Sequence, residues 1–378
     1  MSEHYDLAVV GAGIVGLGCA LAAAKRGLRV IVIDRNAQAD GASIRNFGFV
    51  TVTGQQRGLV WERARRSCDL WLEIAAPAGI DVLQRGLFMP VRRGEAVGVL
   101  EEFMVTEMGE GCELLTPGEA ASRAPEVTGP QTQAALWSPH DLRVESRSAI
   151  PLLARYLERE HGVTFLREAA ALAVEPPHIM TGRGEVLAER TIVCPGDDFS
   201  GLGADILQTA GLVRSKLQML RLAAPGFTLP APIMSDLGLA RYEGYSELPA
   251  AAALRMRLEE EQGEELANGI HLIAVQSADG TLVVGDSHHE RATPDPFANE
   301  AVNQLILAEW SATTGQPAPA VLERWTGTYA RGPEPSLIAA PHPRVRLALI
   351  TAGNGASTAF AFAEEVLANL FEEHLSND

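Results

Sequence analysis

The segment YDLAVVGAGIVGLGCALAAAKRGLRVIVID, Tyr5–Asp34, constrains the fold more than any other stretch of this chain. Leu7–Val10 is a short apolar run suited to a parallel strand buried on both faces. Ile14–Arg26 is rich in Ala and Leu, and Gly27 supplies a helix stop. Arg29–Ile33 is a second β-branched run ending in Asp34, which completes a βαβ unit. Gly11 is predicted to permit the tight turn out of the strand, and Gly13 to let backbone approach a pyrophosphate. Gly16, with Ala20, is predicted to bring the helix close to the strands. The helix N-terminus offers free amides and the positive end of its dipole to phosphates. Asp34 lies 18 residues past Gly16, near the roughly 20 expected of an acid that accepts from ribose hydroxyls. A Gly-x-Gly-x-x-Gly alone is weak evidence. With strand, loop, helix, strand and acid in register, it predicts a dinucleotide site rather than a purely structural unit. Arg35 hints at a 2′-phosphate, but the Asp34 carboxylate would repel one. Arg35 is therefore read as a solvated or adenine-flanking residue.

The bulk numbers narrow the partners. A chain of 378 residues accommodates one or two domains. Its 31 basic and 48 acidic residues give 31 − 48 = −17, a field that repels nucleic-acid phosphates. A local arginine cluster can still bind a small anion. Cys19, Cys68, Cys112 and Cys194 are scattered, with no Cys-x-x-Cys and no zinc-ligand spacing. They read as small buried hydrophobes in a reducing cytoplasm. LAVVGAGIVGLGCALAAA imitates a signal-peptide core, but Glu3 and Asp6 precede it where a basic leader would stand. No stretch reaches the ~18 uninterrupted apolar residues of a membrane span. The expectation is a cytoplasmic protein without an export signal or transmembrane segment.

The remainder of the chain bears on which dinucleotide is held. RNAQADGASIRNFGFVT follows Asp34 directly. It can lay backbone amides, Ser43 and Arg45 along a pyrophosphate, then pass Asn46–Gly48 beside a ring. RTIVCPGDDFSGLG reads as a buried strand and a glycine turn. Near the C-terminus a strand at Val345–Ile350, a loop at Thr351–Ser357 and a helix aim a second helix N-terminus at something electron-rich. A reduced flavin, negative near N1 and the C2 carbonyl, fits such a tip; a nicotinamide domain has no need of it. GLFMPVRR, AALWSPHDLRVES and IMSDLGLARYEGYSE read as strands. HLIAVQSADGTLVVGDS reads as a hairpin turning at Asp279-Gly280. LEEEQGEELANG reads as a solvated helix or loop, and His140–Asp141 as a loop.

Taken together, the Gly11–Gly16 loop with Asp34, GASIRNFG, VCPGDDFS, GTLVVGDSHHE and TAGNGAST resemble the D-amino-acid oxidase/glycine oxidase superfamily over nearly the whole chain. The resemblance implies an α/β (α+β) fold. A Rossmann-like FAD domain of the glutathione-reductase type would span 1–85, 146–215 and 325–378, and an antiparallel substrate domain 86–145 and 216–324. It implies non-covalent FAD, held at Gly11, Gly13, Ile14, Val15, Gly16, Asp34, Arg35, Ser43, Arg45, Asn46, Phe47, Gly48, Gly196, Gly353, Asn354, Gly355 and Thr358, with Ala171 beside the adenine. GASIRNFGFV further resembles a subgroup associated with bacterial phosphonate breakdown. The implied substrate is a small amine bearing an acidic group: aminoethylphosphonate, its N-methyl derivative, or a glycine- or sarcosine-like amino acid. The implied products are an imine, then an aldehyde or keto acid. The electron acceptor is O2 or a quinone.

An acidic substrate requires cations opposite the flavin. Arg241 and Tyr242 lie on a strand-like stretch, with Arg255 and Arg257 nearby; Tyr329 and Arg331 fall in WTGTYARGPEPSLI. Arginine fits carboxylate or phosphonate with a bidentate fork. His288, at the end of the hairpin, is a further cation or proton shuttle. His288–His289 without another ligand does not predict a metal. A dedicated base is not required if the amine binds neutral. A nicotinamide dehydrogenase and a non-catalytic flavin-binding protein stay open as alternatives, as does the oligomeric state.

Overall fold

The structure, a computed structural model, describes residues 4–372. The elements are, in chain order, β1 (His4–Val10), α1 (Ile14–Lys25), β2 (Val30–Ile33), β3 (Phe49–Val50), α2 (Leu59–Ala78), β4 (Val82–Val91), α3 (Gly94–Met104), β5 (Glu113–Leu115), α4 (Pro117–Arg123), β6 (Ala134–Val144), α5 (Ser146–Glu160), β7 (Thr164–Leu166), β8 (Ala171–Glu175), β9 (His178–Thr181) and β10 (Gly184–Val193). There follow α6 (Ala204–Thr209), β11 (Val213–Leu222), β12 (Ile233–Met234), α7 (Glu243–Ser246), α8 (Ala251–Glu261), α9 (Gly263–Ala267), β13 (Ile273–Gln276), β14 (Leu282–Gly285), β15 (His289–Arg291), α10 (Glu300–Thr314), β16 (Val321–His342), β17 (Val345–Ala352) and α11 (Gly355–Glu372).

Five strands run parallel in the order β7–β2–β1–β10–β17. Their Val- and Ile-rich sequences suit strands covered on both faces. Helices α1, α2, α5 and α11 cover one face, burying Leu7, Val9, Leu17, Trp71, Leu153, Phe360 and Phe362 in one core. α1 is buried around most of its circumference, which its Ala- and Gly-rich sequence allows. A Cβ at Gly18 would lie 3.2 Å from Ala363 Cβ and 3.3 Å from the Ala359 carbonyl, so α1 and α11 cross in close contact. The helix of the opening βαβ unit is thereby packed against the last helix of the chain.

The remaining strands pair mainly antiparallel: β4 with β6, β12 with β13, β13 with β14, and β11 with β14, β15 and β16. With α3, α8 and α10 they enclose a second core around Phe88, Val99, Phe103, Leu220, Tyr245 and Trp310. The long strand β16 joins the two halves. Its first part pairs with β11 as far as Arg331, and from Arg331 onward it pairs with β17. The Asp279-Gly280 hairpin forms as expected, with Gln276 opposite Leu282 and Ile273 opposite Gly285.

Two sequence expectations fail. Only Ile233–Met234 of IMSDLGLARYEGYSE is a strand; Asp236–Ala240 is a tight helical turn and Glu243–Ser246 is α7. Gly244 explains the difference. A Cβ there would meet the Gln55 carbonyl at 2.4 Å, so the segment folds over the β3–α2 loop rather than extending. His140–Asp141 is not a loop but part of β6. Asp141 is buried and accepts from the Val52 and Thr53 amides (2.8 and 3.0 Å) and the Thr53 hydroxyl (2.6 Å), which ties β6 to the chain after β3. No helix among the described residues is long and apolar enough to cross a membrane.

Candidate active site

The C-terminal ends of β1, β10 and β17 open on a common cleft, where an open parallel sheet presents its loops to ligands. Gly11 turns out of β1 with φ +107°, and a Cβ on it would lie 2.4 Å from the Cys194 carbonyl beyond β10. A Cβ on Gly16 would lie 1.8 Å from the Gly11 carbonyl, so no other residue lets α1 start so close to the strand. The Ile14 amide in the first turn of α1 points into the cleft and donates to Ser43 Oγ at 2.9 Å. The loop after β17 turns at Gly353, φ +73°, and α11 starts at Gly355, 3.6 Å from Ile14 Cγ2 as measured from the Cβ position. The two helix tips thus stand side by side.

They border a cavity of about 310 Å³ lined by Gly13, Ile14, Val15, Gly16, Ser43, Arg45, Asn46, Phe47, Gly196, Gly353, Asn354 and Gly355 on one side. Arg241, Tyr242, His271, Asp286, His288, Tyr329 and Arg331 line it on the other. A second hollow of about 230 Å³ lies at the end of β2, lined by Ala12, Asp34, Asn36, Ile150, Arg155, Phe165 and Arg167. Asp34 accepts there from the Ala12 and Asn36 amides at 2.6 and 2.8 Å. A hollow with an acid at the first strand–helix turn, and a longer cavity beyond two glycine-rich helix tips, match the two ends of an extended dinucleotide.

Four residues named from the sequence stand elsewhere. Arg35 lies 2.5 Å from Asp198 in an exposed ion pair, as its solvated alternative expected, and lines neither cavity. Gly48 faces β6: its absent Cβ would sit 1.8 Å from the Val144 carbonyl, which makes it a crossing point of two backbones rather than a ring neighbour. Thr358 donates to the Asn354 carbonyl within α11, while Ser357, one residue earlier, lines the cavity and bonds Thr51. Ala171 opens β8 and lines neither cavity.

The side of the cavity opposite the helix tips is built from three segments. Arg241 and Tyr242 come from the turn before α7, Tyr329 and Arg331 from β16 where it changes partner, and His271, Asp286 and His288 from the ends of the β13–β14 hairpin. Tyr329 stacks on the Gly353 turn, where a Cβ would come within 2.7 Å of the ring. The Arg241 guanidinium lines the cavity and makes no hydrogen bond or ion pair among the described residues, though its charge acts on Asp286, His271 and His288. Arg331 lies 3.4 Å from exposed Glu290. Arg255 and Arg257 sit on α8 with their own partners, the Ala240 carbonyl and Glu261, outside the cavity.

His271 Nδ1 lies 3.4 Å from Asp286 Oδ1, and His288 Nε2 lies 3.5 Å from Asp286 Oδ2. Burial pushes the Asp286 carboxyl up to about 7, against the pull of Arg241. Burial, and then the Arg241 charge, hold both imidazoles well below the usual histidine range. Sequence reading missed His271 and Asp286. The hairpin register carried the signal: Ile273 opposite Gly285 places both just past the last rung, beside His288.

The family model described as "FAD dependent oxidoreductase" matches residues 6–369. The chain belongs to the FAD-dependent oxidoreductase family. Its cofactor is FAD, which sets aside the nicotinamide alternative. The chain is 24% identical over 259 residues to glycine oxidase of Geobacillus kaustophilus, covering 63% of this chain and 67% of that one. The crystal structure of that enzyme superposes with a TM-score of 0.77 at 19% identity, over 98% of this chain and 95% of that one. L-proline dehydrogenase from P. horikoshii gives 0.76 at 19% identity, over 99% and 95%. Glycerophosphate oxidase from Mycoplasma pneumoniae, with FAD bound, gives 0.73 at 14% identity, over 97% and 95%. These structures share the mixed α/β fold.

Proposed function

We propose that this FAD-dependent oxidoreductase oxidises the C–N bond of a small amine that carries an acidic group. The isoalloxazine would lie in the larger cavity against the tips of α1 and α11, and the adenosine would reach the Asp34 hollow. The two cores would then serve as cofactor and substrate domains. When bound, FAD supplies a two-electron acceptor for the C–H bond beside the amine. The chain supplies placement: an unpaired Arg241 and a nearby Arg331 to fix the acidic group, and Tyr242 and Tyr329 to close the sides. The resulting imine is hydrolysed to an aldehyde or keto acid. The observation that carries this reading is Arg241, whose guanidinium lines the cavity and makes no hydrogen bond or ion pair among the described residues. That glycine oxidase and L-proline dehydrogenase are named for amino acids supports the amine class.

The finer reading is an amino-phosphonate. It is supported by the GASIRNFGFV loop and by the two arginines that line the cavity, which suit a multiply charged head group. The four unpaired cysteines support a reducing, cytoplasmic setting. Purified protein should be yellow, and anaerobic addition of an amine should bleach it. A screen of glycine, sarcosine, aminoethylphosphonate and N-methylaminoethylphosphonate tests both levels. Bleaching by an amino-phosphonate is expected. Bleaching by glycine or sarcosine alone removes the phosphonate refinement, and no bleaching by any of them leaves the non-catalytic alternative.

A further inference from the structure

Three carboxylates line the larger cavity: Asp197, Glu243 and Asp286. Asp197 already accepts from the Thr328 hydroxyl at 2.5 Å, and Glu243 is exposed. Asp286 is 5% exposed, and its Oδ1 has no hydrogen-bond partner among the described residues. Nor has His271 Nδ1, the nearest atom to it. His288 Nδ1 sits 3.0 Å from the Gly269 carbonyl. A carbonyl only accepts, so Nδ1 carries the proton and the lone pair of Nε2 faces Asp286. Contacts of 3.4 and 3.5 Å without good alignment do not satisfy a buried carboxylate. Such a group is costly to hold unless a donor arrives with a ligand.

The charges around it are arranged with a polarity. Arg241 and Tyr242 face Asp286 from the turn before α7, and Tyr329 from β16; His271 and His288 flank it, and Arg331 acts on His288. The arginines answer the acidic end of a substrate. The amine end needs an acceptor, and Asp286 is the buried carboxylate on this wall. From this geometry, and resting on the amine-oxidation reading above, we propose that Asp286 binds the substrate ammonium and takes one proton from it, with His271 and His288 sharing that proton. The N–H bond breaks, its electron pair stays on nitrogen, and an O–H bond forms on the Asp286 carboxyl; no electrons leave the substrate in this step. The product is the neutral amine, whose lone pair can assist departure of hydride from the adjacent carbon. A carboxyl brought to about 7 is matched to this exchange near neutral pH.

The test compares wild type with Asp286→Asn in the FAD-loaded protein, using whichever amine bleaches the wild type. Expected is a loss of about 10²–10³-fold in kcat/KM near pH 7. The deficit should shrink as pH approaches the amine's own pKa, because the amine then arrives neutral. The wild-type profile should fall below neutral pH, and Asp286→Asn should lack that limb. Independently of turnover, infrared titration of the resting protein should show a protonated-carboxyl band that appears near neutral pH and is absent from Asp286→Asn. If Asp286→Asn fails to hold flavin, Asp286→Glu replaces it and should retain both band and limb at a shifted pH. An Asp286→Asn variant within three-fold of wild type, or a deficit that does not vary with pH, overturns the proposal and leaves the amine reading intact. Wild type bleached by no amine overturns the amine reading itself and the proposal with it. Cobalt(II) added to wild type that gives a ligand-field band, lost in His271→Gln, would reassign the trio as a metal site and also overturn it.

Discussion

Two buried aspartates on the substrate side of the molecule have opposite surroundings. Asp236 accepts from the Arg92 amide at 3.0 Å and from Arg93 Nη1 at 2.9 Å on both oxygens, with Arg92 Nη2 at 3.3 Å. Arg92 also reaches Glu309 at 2.6 Å, and Gln262 donates to the same glutamate at 2.7 Å. Two arginines thus balance two carboxylates, and both acids are hydrogen-bonded on every side. Asp286 is buried too, but the basic groups within 4 Å of it are two uncharged imidazoles beyond good hydrogen-bond reach, and Arg241 acts on it without an ion pair. Burial alone therefore does not separate a structural acid from a working one. The separation lies in whether the protein itself supplies the donors.

The largest effect that tests this contrast is on stability. Asp236→Asn leaves two buried guanidiniums undercompensated and should cost about 3–5 kcal/mol, measured by denaturant unfolding at pH 7. Asp286→Asn should leave stability unchanged or raise it, since it removes an unpaired charge. Equal losses in the two variants would erase the distinction. A smaller effect is expected from Arg241→Met. Removing one charged partner of an acidic substrate, worth about 1.5–3 kcal/mol, should raise KM roughly 10–100-fold with less change in kcat. An unchanged KM would move the acid-binding role to Arg331.

The smallest effect is a slope. Folding raises the Asp286 carboxyl from its ordinary range to about 7, so the folded chain binds that proton more tightly than the unfolded one. Its stabilising contribution is complete below about pH 4 and is lost as pH rises through about 7. The Tm of wild type should therefore fall relative to that of Asp286→Asn between about pH 5 and pH 8. The lowered histidines act in the opposite sense below their unfolded range, but both proteins carry them and their effect largely cancels in the difference. Parallel Tm curves would place Asp286 in an ordinary, paired environment.

Legibility from sequence followed the range of the interactions. Gly16 was readable because it answers to the Gly11 backbone five residues away, whereas Gly11 and Gly13, which meet the Cys194 carbonyl and the Ser43 hydroxyl, were readable only from their spacing. The strand and helix flanking Thr351–Ser357 were readable, but the loop is only Gly353–Asn354, because β17 runs to Ala352 and α11 begins at Gly355; Thr358 was named where Ser357 lines the cavity. The segment around Arg241 was not readable, because its turns depend on Gly244 meeting the backbone of Gly54 and Gln55, nearly two hundred residues away in the chain. Arg35 was assigned to the cofactor because nothing near it in sequence foretold Asp198. Asp286 and His271 are separated by a hairpin, and only its register makes them neighbours.

The contact of Gly18 with Ala359 and Ala363 has a consequence for how the protein matures. The floor of the cleft is shared between the opening βαβ unit and a helix translated more than three hundred residues later. On the cofactor placement proposed above, a chain that lacked its last helix would lack one of the two tips, and yellow colour would report that both ends have met.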